Sequence, residues 1–390
     1  MWWSKDSPKH LPASTGPFLP GCTDVMLDYD ENGLLMRLYY PINDQEKQQS
    51  NKWIPWLQDY HYRDGMAKVL KFPNIFLKAG FWWSDNVHIP VQYGQIPKIP
   101  NNKLKCVIVS HGMGGSKFFY SKMCYDLASY GYLVICPEHR DKSASYTYFY
   151  KSKEDAQKDN RTTVQFEHYP FGDKHYQKRR EQMQIRSKEC AKLIDFLKNL
   201  NEGIIPHNVL EDVKSYEKTP FKLDDLVGNI DVHDFTIVGH SFGGASALQV
   251  TSEREDIGRC ILLDPWMYPI KNENLDSIIK VPILFVNTQT FHIGANVKMM
   301  EKFLSNENSK MYTLRGTTHE NQADTVLIFG SWLNLFIRKI EPKLGFQIND
   351  SLILEFLHDR LNLSSDIEEI RTFLRENKDW FEEGLTKPWA

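Results

Sequence analysis

The sequence has little net charge of either sign and no long apolar run. Its 390 residues include 47 lysines and arginines against 50 aspartates and glutamates, which leaves a net charge of −3. Proteins that bind nucleic acid usually carry a basic excess, so no nucleic acid partner is predicted. The longest largely apolar stretch, residues 325–337, is too short to span a bilayer.

Cysteine is also scarce and scattered. The six cysteines show no C-x-x-C pair and no close clustering. The first residues lack the apolar core of a secretory signal, and Trp2 stands where N-myristoylation requires glycine. We therefore expect reduced, mostly buried thiols and a cytoplasmic protein that no classical signal peptide exports. Peripheral association with membranes stays open.

Short apolar runs and helical patterns alternate through most of the chain. Each run is too brief for a helix, whereas Met183, Cys190, Leu193 and Leu197 recur at helical spacing between two of them. The runs are residues 106–109, 132–136, 235–238, 260–263, 281–286 and 311–314. This alternation predicts an α/β fold, in which helices cover both faces of a mostly parallel sheet.

The rest of the chain is predicted to form a hairpin, surface insertions and a C-terminal helix around this sheet. Residues 23–29 and 34–40 are expected to form a hairpin, since an Asp-Glu-Asn-Gly turn separates them. We predict one domain over residues 1–390, with a C-terminal helix at about 365–385. Three irregular segments are predicted to be surface insertions, at about residues 50–102, 142–175 and 201–232.

A motif for a nucleophilic serine stands out. Residues 239–244 read Gly-His-Ser-Phe-Gly-Gly, after an apolar run and before a helical pattern. This is G-x-S-x-G in the strand-to-helix setting, where a strained turn lifts the serine Oγ above the sheet edge. The helix amino terminus beneath it favours developing negative charge. Ser241 is therefore predicted to be a catalytic nucleophile; a glycine-rich turn with a capping serine is the alternative.

A serine nucleophile needs a base and a group that orients the base. In this fold the chain order is serine, acid, histidine, and His319 follows the last apolar run, where the base is expected. Asp264 ends an earlier apolar run, and a carboxylate buried there would be satisfied by an imidazole N–H group. We predict His319 as the base and Asp264 as the acid. A turn cap with Pro265 is the alternative for Asp264, and Glu320 is the fallback acid.

The oxyanion of a tetrahedral intermediate needs backbone N–H donors. We expect one from Phe242, directly after the nucleophile, and one from Met113 in the His-Gly-Met-Gly-Gly loop of residues 111–115. A phosphate-binding loop is the alternative, but Lys117 is misplaced for a P-loop. His319 is not followed by the second histidine of a zinc motif. Neither a metal nor a cofactor is predicted.

Several longer motifs carry a family resemblance. The most specific are Glu-His-Arg-Asp at 138–141 and Asp-Pro-Trp-Met at 264–267. The others are residues 16–17, 21–26, 37–41, 110–114, 228–231 and 239–244. With these motifs the chain resembles the platelet-activating factor acetylhydrolases, a serine-dependent phospholipase A2 family, over roughly residues 11–363, and it is most like the intracellular type.

The resemblance implies an α/β-hydrolase fold and a calcium-independent reaction. The expected reaction removes the sn-2 acetyl group, or a short or oxidised acyl chain, from phospholipids such as platelet-activating factor. The family's triad falls on Ser241, Asp264 and His319, and its oxyanion donors fall on Met113 and Phe242. A general carboxylesterase or lipase of the same fold is one alternative, and a catalytically inactive lipid-binding protein is another.

Aromatic residues are unusually frequent, at 13% of the chain. Part of this excess lies in residues 72–83 and 325–336, the second of which is read as a helix. Trp and Tyr suit the boundary between water and lipid, since one end of each is apolar and the other polar. A membrane or lipid-particle surface is thus a predicted partner, and core packing is the alternative. The predicted contact residues are Phe81, Trp82, Trp83, Trp332 and Phe336.

Overall fold

A computed structural model describes residues 9–43, 53–71, 87–172, 174–330, 339–358 and 366–388 of the chain. The strands, in chain order, are β1 Leu19–Leu27, β2 Leu34–Ile42, β3 Ile54–Pro55, β4 His88–Ile89, β5 Gln92–Tyr93, β6 Lys105–Ser110, β7 Tyr132–Pro137, β8 Tyr146–Phe149, β9 Thr162–Gln165, β10 Phe235–His240, β11 Ile257–Leu263, β12 Ile283–Thr288, β13 Lys310–Leu314 and β14 Phe381–Glu383. The helices are α1 Tyr60–Leu70, α2 Ser121–Ser129, α3 Lys153–Gln157, α4 His175–Asn201, α5 Phe242–Glu253, α6 Leu275–Ile278, α7 Gly294–Met300, α8 Thr325–Phe329, α9 Pro342–Leu357 and α10 Asp366–Glu376.

A central sheet organises these elements. Its strand order is β14-β13-β12-β11-β10-β6-β7-β2-β1-β5, and all neighbours from β7 across to β13 are parallel. β2 runs antiparallel to both of its neighbours and forms the predicted hairpin with β1. Five of the six apolar runs lie within strands of the parallel part, and the sixth, residues 281–286, begins two residues before β12. The predicted α/β-hydrolase fold class is confirmed.

Alternate side chains of the parallel strands enter two different apolar cores. In β6, Val107 and Val109 belong to the core shared with α2 and α9. Cys106 and Ile108 belong to the core shared with α4 and α5. Because both faces of each strand are buried, the strands are continuously apolar instead of alternating apolar with polar residues. The same arrangement leaves the carboxyl ends of the parallel strands together at one edge of the sheet.

The burial of the cysteine side chains matches the expectation drawn from the sequence. All six cysteines are free and buried. The sulfur atoms of Cys124 and Cys136 lie 3.2 Å apart without a covalent bond. As for membrane spans, none of the helices in the described residues combines the length and the apolar composition that crossing a bilayer requires.

Two predicted helices end earlier than expected. α10 ends at Glu376 instead of continuing to about residue 385, because the chain then pairs as β14 with the edge strand β13. This pairing satisfies backbone groups that an open sheet edge would expose, and the ring of Phe381 packs on Tyr312 at 5.8 Å. The helix predicted over residues 325–336 ends at Phe329, since Gly330 adopts a φ of 75°.

The three predicted insertions contain short elements of their own. Residues 142–175 include β8, α3 and β9, with β8 and β9 paired antiparallel. Residues 201–232 include the 3-10 turns Val209–Asp212 and Leu223–Leu226. Residues 50–102 include β3, α1 and β4, and they also contribute β5 to the edge of the central sheet.

Candidate active site

Ser241 lies at the sharp turn between β10 and α5. Its backbone adopts a φ of 54° and a ψ of −117°, a strained conformation for a residue that has a side chain. The glycines around it permit this turn. A Cβ atom on Gly239 would lie 2.3 Å from the carbonyl oxygen of Gly243, and one on Gly243 would lie 2.1 Å from that of Ser110. The predicted strand-turn-helix geometry of the nucleophile motif is thus present at the carboxyl edge of the sheet.

We expect Gly243→Ala to destabilise the protein, because the added methyl group would meet the backbone of Ser110 and not a movable side chain. Overpacking of this kind costs about 1–3 kcal/mol of the free energy of unfolding. Denaturant titration of the variant and the wild type measures this cost. An unchanged unfolding midpoint would show that the contact between α5 and β6 relaxes freely.

His319 and Asp264 meet across the same edge of the sheet. Nδ1 of His319 lies 3.0 Å from Oδ2 of Asp264. Because the carboxylate accepts this hydrogen bond, Nδ1 carries the proton and Nε2 can accept another. The Asp264 side chain is fully buried, whereas that of His319 is 30% exposed. The imidazole, and not the carboxylate, can therefore meet a substrate.

Thr288, at the end of β12, completes the support of the carboxylate. Its N–H donates to Oδ1 of Asp264 at 2.6 Å, and its hydroxyl donates to Oδ2 at 2.5 Å. With the bond from His319, these contacts offset the cost of burying the charge. Glu320 instead accepts a hydrogen bond from the hydroxyl of Thr318 at 2.7 Å. Sequence reasoning did not assign Thr288 a role, although a threonine that ends the neighbouring parallel strand is a usable signal.

Two rings flank the imidazole of His319. The ring of Phe291 is stacked at 4.0 Å between centroids, and the ring of His240 lies at 4.5 Å. Burial, followed by repulsion from the protonated form of the nearby His319, holds the pKa of His240 well below its usual range. A neutral His240 does not repel the imidazolium that proton transfer would create on His319.

The loop of residues 111–115 lies directly against the nucleophile. A Cβ atom on Gly112 would lie 3.3 Å from the Cβ atom of Ser241. Within the described part of the chain, the N–H groups of Met113 and Phe242 have no hydrogen-bond acceptor. The loop that carries Met113 thus adjoins Ser241, and Phe242 follows it directly, so both predicted donors belong to segments next to the nucleophile.

A buried arginine contacts both the loop of residues 111–115 and Phe242 at the start of α5. Arg186, on α4, forms an ion pair with Asp141 at 2.9 Å, and both side chains are fully buried. Its guanidinium also donates to the carbonyl oxygen of His111 and lies 4.6 Å from the centroid of the Phe242 ring. Sequence reasoning did not identify Arg186, because nothing along the chain relates α4 to the two loops that it contacts.

The Asp-Pro-Trp-Met motif forms an aromatic wall beside the nucleophile. The N–H of Trp266 donates to the carbonyl oxygen of Ser241 at 2.8 Å. The ring of Trp266 packs against Phe242 at 5.7 Å and is stacked on Tyr268 at 5.5 Å. A substrate bound at Ser241 would therefore lie near apolar surface on this side.

One group of side chains in the described residues has the geometry of a metal site, and it overlaps the candidate active site. His240, Asp264 and His319 offer ligand atoms that all lie within 4.8 Å of one another. Both oxygens of Asp264 already accept hydrogen bonds from Thr288 or His319. The contacts are those of a hydrogen-bonded acid and base.

The structure does not describe the residues predicted to contact lipid. All five fall outside the described residues: Phe81, Trp82, Trp83, Trp332 and Phe336. Phe329, in α8, is partly buried and packs against the apolar core on the α2 side of the sheet.

The sequence matches the model of one protein family over nearly its whole length. The model of a family described as platelet-activating factor acetylhydrolase, isoform II, matches residues 4–379 of this chain. The chain belongs to the platelet-activating factor acetylhydrolase family. The resemblance inferred from the motifs is confirmed.

Individual relatives match this chain over most of its length. The platelet-activating factor acetylhydrolase of Canis lupus familiaris is 32% identical over 373 residues, which cover 95% of this chain and 81% of that protein. That of Gallus gallus is 31% identical over 92% of this chain and 85% of its own length. A putative phospholipase A2 of Schizosaccharomyces pombe is 23% identical over 95% of this chain and 93% of its own.

A solved structure shares the fold. A ferulic acid esterase from Streptomyces cinnamoneus matches with a TM-score of 0.59, over 91% of this chain and 93% of its own, at 15% sequence identity. At this identity the likeness concerns the fold alone.

Proposed function

We propose that this protein hydrolyses the sn-2 ester of phospholipids like platelet-activating factor, which releases a lysophospholipid and acetate or a short or oxidised acyl acid. Membership of the family makes the chain a phospholipid ester hydrolase. The observation that carries the proposal for the site is the hydrogen bond of 3.0 Å between Nδ1 of His319 and Oδ2 of Asp264, at the edge of the sheet where β10 ends in the strained Ser241.

In the first proposed step, Oγ of Ser241 attacks the ester carbonyl carbon while Nε2 of His319 takes the hydroxyl proton. The carbonyl π-electrons move onto its oxygen, and the N–H groups of Met113 and Phe242 stabilise that charge. Asp264 stabilises the imidazolium through Nδ1–H. The carbon–oxygen bond to the glycerol then breaks, and the lysophospholipid oxygen takes the proton from Nε2.

In the second proposed step, water hydrolyses the acyl-enzyme. His319 takes a proton from the water, whose oxygen bonds to the acyl carbon, and then returns the proton to Oγ of Ser241 as the acid leaves. The imidazole carries every proton, and backbone N–H groups hold the developing charge. This route needs neither a metal nor a cofactor, so we propose a calcium-independent enzyme.

We further propose that the enzyme works in the cytoplasm and meets its substrate at a membrane or lipid-particle surface. Six buried thiols without a disulfide fit a reducing compartment. Phospholipid substrates gather at such surfaces, and the five aromatic residues named above remain the predicted contacts.

A chain-length assay with labelling of the nucleophile tests the proposed function. We expect the purified enzyme to cleave an sn-2 acetyl phospholipid at least about 10-fold more efficiently than a long-chain phosphatidylcholine, because the proposed preference requires the site to discriminate against additional methylene groups. Chelation of calcium should leave this rate unchanged, and a fluorophosphonate probe should label Ser241.

Other outcomes identify the alternatives. A preference for long-chain phosphatidylcholine or triacylglycerol would indicate a general lipase or carboxylesterase. Lipid binding without turnover and without labelling of Ser241 would indicate an inactive lipid-binding protein. A rate that falls on chelation would contradict calcium independence.

A further inference from the structure

We propose that Tyr120 is a positioning residue for the oxyanion hole, whose hydroxyl group decides which backbone N–H of the loop faces the reacting ester. The inference rests on the proposed function, because it concerns the same acyl-transfer site. Tyr120 directly precedes α2 and is buried. Its hydroxyl contacts two segments that adjoin the nucleophile, one from the loop after β6 and one from the end of β10.

The hydroxyl oxygen of Tyr120 takes part in two hydrogen bonds. It accepts from the N–H of Gly112 at 3.0 Å, and it lies 2.7 Å from Nδ1 of His240. The N–H of Gly112 can only donate, so within the described residues Nδ1 of His240 is the acceptor available to the phenolic proton. We therefore assign the ring proton of His240 to Nε2. The low pKa of His240 agrees with this neutral acceptor. One oxygen atom thereby joins the oxyanion loop to the residue before Ser241.

The peptide between His111 and Gly112 is held from both sides. Tyr120 binds its N–H, and the guanidinium of Arg186 binds its carbonyl oxygen. A planar peptide whose two polar groups are both bound cannot rotate without breaking one of these bonds. Its orientation is therefore set by side chains from two different elements.

The next peptide, between Gly112 and Met113, is fixed through its carbonyl oxygen. That oxygen accepts from Nδ1 of His111 at 2.8 Å and from the N–H of Gly115 at 3.1 Å. The N–H of a trans peptide points away from its carbonyl. The Met113 N–H is thus turned away from these partners, and in the described chain it has no acceptor of its own.

The protonation of His111 supports this arrangement. Its Nδ1 donates to Gly112, and its Nε2 accepts from the N–H of His139 at 3.2 Å, which together require the neutral ring. Burial, with the charge of Arg186 and the nearby ring of His139, holds the pKa of His111 well below its usual range. The loop is held by a group that does not change its charge near neutral pH.

Without the hydroxyl of Tyr120, the loop would have a second unpaired donor. The N–H of Gly112 would lose its acceptor at a position where a Cβ atom would lie 3.3 Å from that of Ser241. A buried donor tends to regain a partner, and glycine can rotate to reach one. The donor at Met113 would then leave the position in which it meets the oxyanion.

Tyr39 is a matched control for this role. It is a fully buried tyrosine whose hydroxyl donates to Oγ of Ser121 at 2.9 Å. Its hydroxyl bonds to the first turn of α2, next in sequence to Tyr120, but not to the oxyanion loop. Removal of either hydroxyl deletes one buried oxygen atom, so the two variants separate loss of stability from loss of positioning.

The experiment compares Tyr120→Phe and Tyr39→Phe with the wild type on an sn-2 acetyl phospholipid. We expect the kcat of Tyr120→Phe to fall by about 10- to 100-fold with KM within about twofold, since a misplaced oxyanion donor affects the transition state and not substrate binding. A trifluoromethyl ketone, which forms a hemiketal oxyanion on Ser241, should bind more weakly by a similar factor. Tyr39→Phe should keep kcat and inhibitor binding within about twofold at a comparable urea midpoint.

Three results would overturn the inference. They are an unchanged kcat in Tyr120→Phe, a loss confined to KM, and equal losses of kcat in both variants. Absence of turnover and of probe labelling in the wild type would instead contradict the proposed function, so the two failures are distinguishable.

Discussion

Ser241→Ala is expected to lower turnover of the sn-2 acetyl ester by on the order of 10⁶-fold while the protein stays folded. The proposed reaction forms a covalent bond to Oγ, and no other group can replace that atom at the strained turn between β10 and α5. The oxyanion donors alone would support only a small residual rate. Turnover, fluorophosphonate labelling and thermal unfolding of the variant are the measurements that check this.

A serine within α5, the helix that follows Ser241, provides the control. Ser252 lies in α5, and its hydroxyl donates to the carbonyl oxygen of Gln249 at 2.7 Å, remote from the reacting groups. Ser252→Ala should keep both turnover and labelling. Near-normal turnover in Ser241→Ala would contradict the nucleophile assignment, whereas loss in both variants would indicate damage to the helix.

Asp264→Asn is expected to lower kcat by about 10⁴-fold, the second-largest effect. The N–H of Thr288 would keep the asparagine carbonyl oxygen at the place of Oδ1, which puts the amide NH₂ opposite His319. That NH₂ donates, so Nδ1 of His319 would have to accept and its proton would move to Nε2. In this tautomer the imidazole cannot take the proton of Ser241. Steady-state kinetics and labelling rates measure the loss.

Glu320→Gln is the matched comparison for the acid. Glu320 neighbours His319 in sequence, but its carboxylate accepts from Thr318 instead. We expect kcat of this variant to stay within about threefold of the wild type. A larger loss in Glu320→Gln than in Asp264→Asn would exchange the two assignments and identify Glu320 as the orienting acid.

Much of the fold could be predicted because its signals are local. Each strand from β6 to β13 in the parallel part of the central sheet contains most or all of one apolar run of the sequence. The end of the chain could not be predicted in this way. The residues that form β14 carry no pattern that separates a strand from a helix, and they become a strand because β13 offers a free edge.

The residues of the candidate site also differ in whether a local sequence signal identifies them. Ser241 belongs to a continuous motif, and the order of acid and base along the chain led to Asp264 and His319. Thr288 and Arg186 act on atoms that lie far from them along the chain, and Tyr120 joins a nearby loop to the distant His240. No continuous motif includes any of the three. Their partners are determined by which strands are neighbours in the sheet and which helices cover it.

The sequence by itself determined the family, the α/β architecture and the residues expected to carry the reaction. These follow from short segments, because their local geometry or their order along the chain indicates a particular structure or chemistry. Only the tertiary structure decided that Asp264, and not Glu320, bonds to His319, and that Met113, and not Gly112, offers the unpaired N–H. Hydrogen bonds depend on tenths of an ångström and on direction, and these are set only when distant elements pack together.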